Sequence, residues 1–133
     1  MIKFNELRKG DYVLAESDGQ AWQGEITDFN HDEKEISVYN GVQDFWFKEA
    51  DLYPLQLDEQ QLFKLKFQKH VNGDGSVKYM KGAFRVLLHK PGDFGNFEMW
   101  YREDQRHIAQ PISVHDFQNK YMSMTKVVLS KAE

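Results

Sequence analysis

The chain has 133 residues, with 17 Lys+Arg against 21 Asp+Glu, five His, no Cys, and 41% hydrophobic residues. That length holds one domain, or two small ones packed together, with enough apolar residues for a real core; no apolar run approaches the roughly 20 residues of a membrane span. The missing cysteine excludes disulfides, thiolate zinc sites, iron–sulfur clusters and cysteine nucleophiles. The opening MIKFNELRKG has no apolar stretch of the signal-peptide kind, so a soluble, cytoplasmic protein is expected.

Charge is unevenly distributed. Residues 1–57 carry 5 basic and 12 acidic side chains, and residues 58–133 carry 12 basic and 9 acidic. Phosphate backbones bind through clustered Lys and Arg, so the first half makes a poor nucleic-acid surface. The second half is mildly basic. Its Lys64, Lys66, Lys69, Lys78, Lys81, Arg85 and Lys90 are scattered as on a solvated face.

Residues 11–57 break into short β-type runs. Gly10-Asp11 leads into Tyr12–Ala15, and Ser17-Asp18-Gly19 turns the chain toward Trp22–Thr27. There Trp22, Gly24 and Ile26 alternate with Gln23, Glu25 and Thr27 as in a half-buried strand. Asn30–Glu33 is a turn, Ile36 and Val38 mark a third strand, Asn40-Gly41 is a hairpin signal, and Phe45-Trp46-Phe47 makes a fourth strand. Glu49–Leu52 reads as one helical turn before Tyr53-Pro54-Leu55. Five short strands at this spacing predict a small closed or nearly closed barrel. Trp22, Phe45, Trp46 and Phe47 are expected to pack in its core or against the second half, the commonest use of large aromatic rings.

The Gly-Asp-x-Val-x-Ala entry, the tryptophan opening the second strand and the closing Ala-Asp-Leu-x-Pro-Leu resemble the SH3-like barrels of the Tudor kind over about 45 residues. The resemblance implies a fold and an aromatic cage for a methylated side chain, held by cation–π attraction. Trp22 and Tyr39 would be its walls. Gln23 stands where an aromatic residue is usual, so the cage is incomplete.

Beyond residue 57, Asp58 with Gln61 has capping-box form, and Leu57 with Leu62 forms a hydrophobic staple, so a helix is predicted from Glu59 to about Lys66, with Phe67 opening a strand. Asn72–Ser76 is a hairpin turn; it lacks the closing glutamate of a calcium loop. Val77–Tyr79, Ala83–Leu88 and Phe97–Tyr101 are read as antiparallel strands. Finally, Ser113 and Asp116 form a capping box, Ile112 and Phe117 a staple, and Val114, Phe117, Tyr121, Met124 and Val128 a helical stripe that should face the sheet. At about 100° per residue, His115, Asn119 and Met122 fall on one row to the side of that stripe. The predicted fold is therefore mainly β, of the α+β class. A five-stranded SH3-like barrel over 1–57 is followed by an antiparallel hairpin sheet of three to four strands with two short helices over 58–133, the two packed as one compact unit.

Taken end to end, the chain resembles a group of uncharacterised small proteins found in Bacteroidetes and their mobile elements. The matching positions include Leu7, Arg8, Gly10, Tyr12, Val13, Pro54, Leu57, Leu62, Phe67, Val114, His115, Gln118, Asn119 and Tyr121. Two positions depart from the group's pattern: Asp11 stands where the group has Asn, and Lys66 where Gly is common before the Phe. No activity comes with the resemblance. It implies that His115, Gln118, Asn119 and Tyr121 form one recurrent unit, and with Met122, Trp22 and Tyr39 these are the candidate binding residues.

No catalytic set is visible. The histidines are dispersed, His-x-x-x-His and His-Glu-x-x-His spacings are absent, and no glycine-rich loop runs from a strand into a helix. His107 and His115 with Asp104 or Asp116 would form a metal set only if the fold brought them together. No cofactor, metal or membrane contact is expected. The favoured reading is a non-enzymatic module binding a protein or peptide, with a homodimer left open; the alternative is a nucleic-acid accessory protein contacting DNA or RNA through the second half.

Overall fold

A computed structural model describes residues 2–131. These residues are mainly β with two α-helices, and their strands form two five-stranded antiparallel sheets. Internal packing divides the chain into two units. One comprises the residues up to Leu55 together with Ser113–Asn119, and the other Gln56–Ile112 with the residues from Lys120 onward. No helix among the described residues is long and apolar enough to cross a membrane.

The first unit is built on β1 (Tyr12–Ser17), β2 (Gln20–Asn30), β3 (Glu35–Tyr39), β4 (Asp44–Lys48) and β5 (Leu52–Tyr53), in the order β4-β3-β2-β1-β5. Asp18 and Gly19 both take positive φ, 53° and 78°, the geometry of a two-residue hairpin turn whose twist matches its strands. Val13, Ala15, Ile26, Ile36, Val38 and Leu52 are fully buried on one face, joined by Ile2, Leu7 and Phe47. Each buried Val, Ile and Leu side chain among them stabilises the fold by roughly 1.5–3 kcal/mol. Trp22, Gly24 and Ile26 do share a face, as their alternation predicts. Gly24 is required there, because a β-carbon on it would lie 2.5 Å from Val38 Cγ1 and 2.8 Å from the Tyr39 carbonyl oxygen.

The expected closed barrel is not found. Among the described residues the outer strands β4 and β5 each pair with one neighbour, β3 and β1 respectively. With two residues before Pro54, β5 is too short to close a barrel, and proline supplies no N–H to extend its ladder. Packing of the aromatics also differs from expectation. Trp22 packs on Phe47 at 5.6 Å and on Phe45 at 6.2 Å; Phe47 is buried, whereas Phe45 stays 39% exposed and Trp46, which alternation turns to the opposite face of the strand, is 50% exposed.

In the second unit, the Asp58 carboxylate accepts the Gln61 amide at 2.9 Å and caps α1 (Glu59–Lys64). The helix stops two residues short of the predicted end. Lys66 turns left-handed at φ 72°, and the Phe67 N–H returns to the Leu62 carbonyl at 3.0 Å. This is the position where the resembled group commonly has Gly. A meander follows: β6 (Gln68–Val71), β7 (Val77–Lys81), β8 (Phe84–Leu88), β9 (Phe97–Tyr101) and β10 (Asp104–Ile108), in order β10-β9-β8-β7-β6. The predicted turn at Asn72–Ser76 joins β6 to β7, with the Asn72 N–H donating to the Ser76 carbonyl at 2.9 Å. β10 is an unforeseen strand, since Asp-Gln-Arg-His-Ile has little β character and pairs only along β9.

The last helix, α2, runs Val114–Thr125. Val114, Phe117, Tyr121 and Met124 are buried as predicted, whereas Val128 is 54% exposed. The helix has ended before Val128: Lys126 takes φ 64°, and its N–H closes the last turn on the Met122 carbonyl.

Candidate functional site

Within the first unit, α2 begins beside the segment that leads into β1. The Val114 N–H donates to the Leu55 carbonyl at 2.7 Å, and Ser113 Oγ accepts the Asp116 N–H at 3.2 Å, the predicted cap. A hollow of about 480 Å³ opens at this helix start. Asn5, Glu6 and Arg8 line one side; Ser113, His115, Asp116 and Asn119 line the other, with Ile2 and Pro54 completing it.

His115 is buried, and its Nδ1 lies 3.1 Å from Ser113 Oγ. Burial pushes its pKa below the usual histidine value, against the opposing pull of the Asp116 and Glu6 carboxylates. The ring is neutral at pH 7. The neutral ring offers one donor and one acceptor nitrogen, and Nδ1 shares a hydrogen bond with the Ser113 hydroxyl.

Two further residues from α2 hold the chain that borders the hollow. Gln118 Oε1 accepts the Tyr12 N–H and its Nε2 donates to the Gly10 carbonyl, both at 2.8 Å. Asn119 Nδ2 reaches the Glu6 carbonyl and Asp11 Oδ2, each at 3.4 Å. Asp11, buried between them, has its pKa raised to about 6. Desolvation is the cause, opposed by the Arg8 N–H at 3.0 Å, by Asn119 and by the Arg8 charge.

The predicted residues thus separate. His115 and Asn119 line the hollow, and Gln118 lies beside them in the same unit. Tyr121 belongs to the other unit, where its ring packs 4.6 Å from Phe84 and 6.5 Å from Phe67, and Met122 also lies there. Trp22 and Tyr39 do not meet. Glu25 pairs with Tyr39 and Ile26 with Val38, so Tyr39 points to the face opposite Trp22. The Tyr39 hydroxyl donates to the Gly41 carbonyl at 2.9 Å.

Sequence reasoning missed Asn5, Glu6 and Arg8 in the lining of the hollow, and the buried Asp11 that Asn119 contacts. Asp11 carried a signal, being the departure from the group's Asn; Asn5 and Glu6 carried none, because a 3-10 turn at Phe4–Glu6 is what brings them to the hollow. Among the described residues no group of three or more His, Asp or Glu side chains could hold a metal ion. His107 instead pairs with Asn96 in the second unit. In comparisons with known proteins, no family model, no curated protein and no solved structure matches this chain.

Proposed function

We propose that the protein is a non-enzymatic interaction module whose hollow at the start of α2 receives a short polar segment of a protein or peptide. The observation that carries this reading is the mixed lining: carboxylates from Glu6 and Asp116, a guanidinium from Arg8, carboxamides from Asn5 and Asn119, and the neutral imidazole of His115. A peptide presents donors and acceptors together, and a hollow of this volume falls in the ordinary range for specific sites. A phosphate would meet two carboxylates against one guanidinium, which makes the nucleic-acid reading the weaker alternative.

Ser113 and His115 touch as a nucleophile and base would, but the serine oxygen caps the helix, and no described carboxylate orients the imidazole through Nε2. This favours binding over catalysis. A Tudor-like identity for the first unit is part of the proposal. Its support is the strand order, with β1 between β2 and β5, and the 3-10 turn Glu49–Asp51 leading into β5. Membership of the Bacteroidetes group draws support from Gln118, which ties together the two ends of the chain that carry the resemblance.

The test is selection of a random-peptide display library on the immobilised protein, followed by calorimetry of the enriched peptides. Binding that weakens about fivefold or more in Glu6→Gln or Asn5→Ala is the expected result. No enrichment, or retention of DNA or RNA oligonucleotides near physiological salt in its place, would overturn the reading.

A further inference from the structure

The edge strand β4 is Asp44-Phe45-Trp46-Phe47-Lys48, paired on one side with β3 and on the other with no described strand. Which of its backbone groups face outward follows from the hairpin. The Asn40 N–H donates to the Gln43 carbonyl at 3.1 Å, so 40 and 43 form a hydrogen-bonded pair. Such pairs alternate along an antiparallel ladder. Phe45 opposite Val38 and Phe47 opposite Ile36 therefore bond to β3, and Asp44, Trp46 and Lys48 turn their N–H and C=O groups outward.

This edge is unpaired over all five residues of the strand among the described residues, carries aromatic side chains and is exposed: Phe45 is 39% and Trp46 50% accessible. Protected edges are usually shortened, bulged or covered. The strand also has an internal symmetry of charge. Laid antiparallel on a second copy of itself about Trp46, it places Asp44 opposite the second copy's Lys48, Phe45 opposite its Phe47, and Trp46 opposite its Trp46. The three outward-facing residues are the ones this register pairs, so the hydrogen bonds, the charges and the exposed rings are all matched by one two-fold axis.

We infer that β4 is a self-association edge, and that two copies of this chain join their five-stranded sheets through antiparallel β4–β4 pairing centred on Trp46. The neighbouring contacts are compatible with it. The Lys48 ammonium lies 3.6 Å from Glu35 and the Asp44 carboxylate accepts the Thr27 hydroxyl at 2.8 Å, both at exposed positions where a second partner can be added. A two-residue register slip would set Lys48 opposite Trp46 and Asp44 opposite Ala50 in one direction, or Asp44 opposite Trp46 and Lys48 opposite Val42 in the other, so only the register centred on Trp46 matches the charges. An interface of one short strand is small, and the association is accordingly reversible and concentration-dependent.

The experiment is sedimentation equilibrium of the full chain from about 10 μM to about 1 mM, with hydrogen exchange read residue by residue. The wild type should shift from monomer to dimer, and the Asp44, Trp46 and Lys48 amides should become protected with concentration while those of Phe45 and Phe47 are protected throughout. Asp44→Lys and Lys48→Asp should each weaken the dimer about tenfold or more by setting like charges opposite one another, and the double variant should recover it. Circular dichroism of each variant verifies folding; charge reversal at exposed sites leaves the fold intact. A single-chain mass across the whole range overturns the inference and leaves the edge to a different occupant. So does a dimer indifferent to both reversals, or one that the double variant fails to restore.

Discussion

Gln118 takes the place of a neighbouring strand beside Tyr12. Its carboxamide accepts the Tyr12 N–H and donates to the Gly10 carbonyl, each at 2.8 Å, the two backbone groups that a paired strand would otherwise satisfy. Removing a partner from a buried donor costs more than the net value of the bond itself. Gln118→Ala should therefore destabilise the protein by roughly 1–3 kcal/mol, seen as a lower urea midpoint. Gln118→Glu should be no rescue, because its second oxygen cannot donate to the Gly10 carbonyl.

Asp11 makes a specific pH prediction. Burial raises its pKa to about 6 in the folded protein from an ordinary 3.8. Below the lower value both states hold the proton, and this residue has no effect on stability. As pH rises toward 6 the unfolded chain ionises first, so stability falls across that window by on the order of 2–3 kcal/mol and stays reduced above it. Asp11→Asn, the residue of the resembled group, should keep an acceptor for the Arg8 N–H without the buried charge. Its urea midpoint should exceed the wild type's at pH 7 and converge with it near pH 4; equal midpoints at pH 7 would refute the assignment.

Much of the fold was legible because its signals are local. The alternation at Trp22, Gly24 and Ile26, the Asn40-Gly41 turn and the caps at Asp58 and Ser113 each depend on residues a few positions apart, and each forms as read. What escaped depends on distant partners. Whether β4 and β5 meet is decided by two strands that touch other neighbours, and β10 exists only because β9 offers it an edge. The end of α1 was misjudged because a lysine, Lys66, holds a left-handed conformation that Gly adopts more readily. The hollow was half legible: His115 and Asn119 came from the helical row, but Glu6 lies more than a hundred residues away along the chain.

Gly24 tests the packing of the first sheet. A methyl group there would sit 2.5 Å from Val38 Cγ1, 2.6 Å from Trp22 Cζ3 and 2.8 Å from the Tyr39 carbonyl oxygen. The indole can swing aside, but the carbonyl belongs to the adjoining strand and cannot. Gly24→Ala should cost about 1–3 kcal/mol or more and alter the near-ultraviolet dichroism of Trp22. A wild-type urea midpoint would show that the strands are less tightly apposed than this.

His115, in the lining of the hollow, carries a pH dependence opposite in sign to that of Asp11. Burial lowers its pKa below 6.5, and the carboxylates of Asp116 and Glu6 only partly oppose this. Folded protein therefore holds a neutral ring where the unfolded chain accepts a proton. Stability from this residue is complete above about pH 6.5 and is lost as pH falls through the lowered folded value. A histidine titration by NMR should place the His115 midpoint below the ordinary 6.5. His115→Ala removes both the buried ring and the partner of Ser113 Oγ, so it should cost roughly 1–3 kcal/mol at pH 7, with the gap to wild type narrowing on acidification. A midpoint at or above 6.5, or a variant as stable as the wild type at neutral pH, would mean that the ring is solvated and that the carboxylates govern it, reversing the order of causes given for its shift.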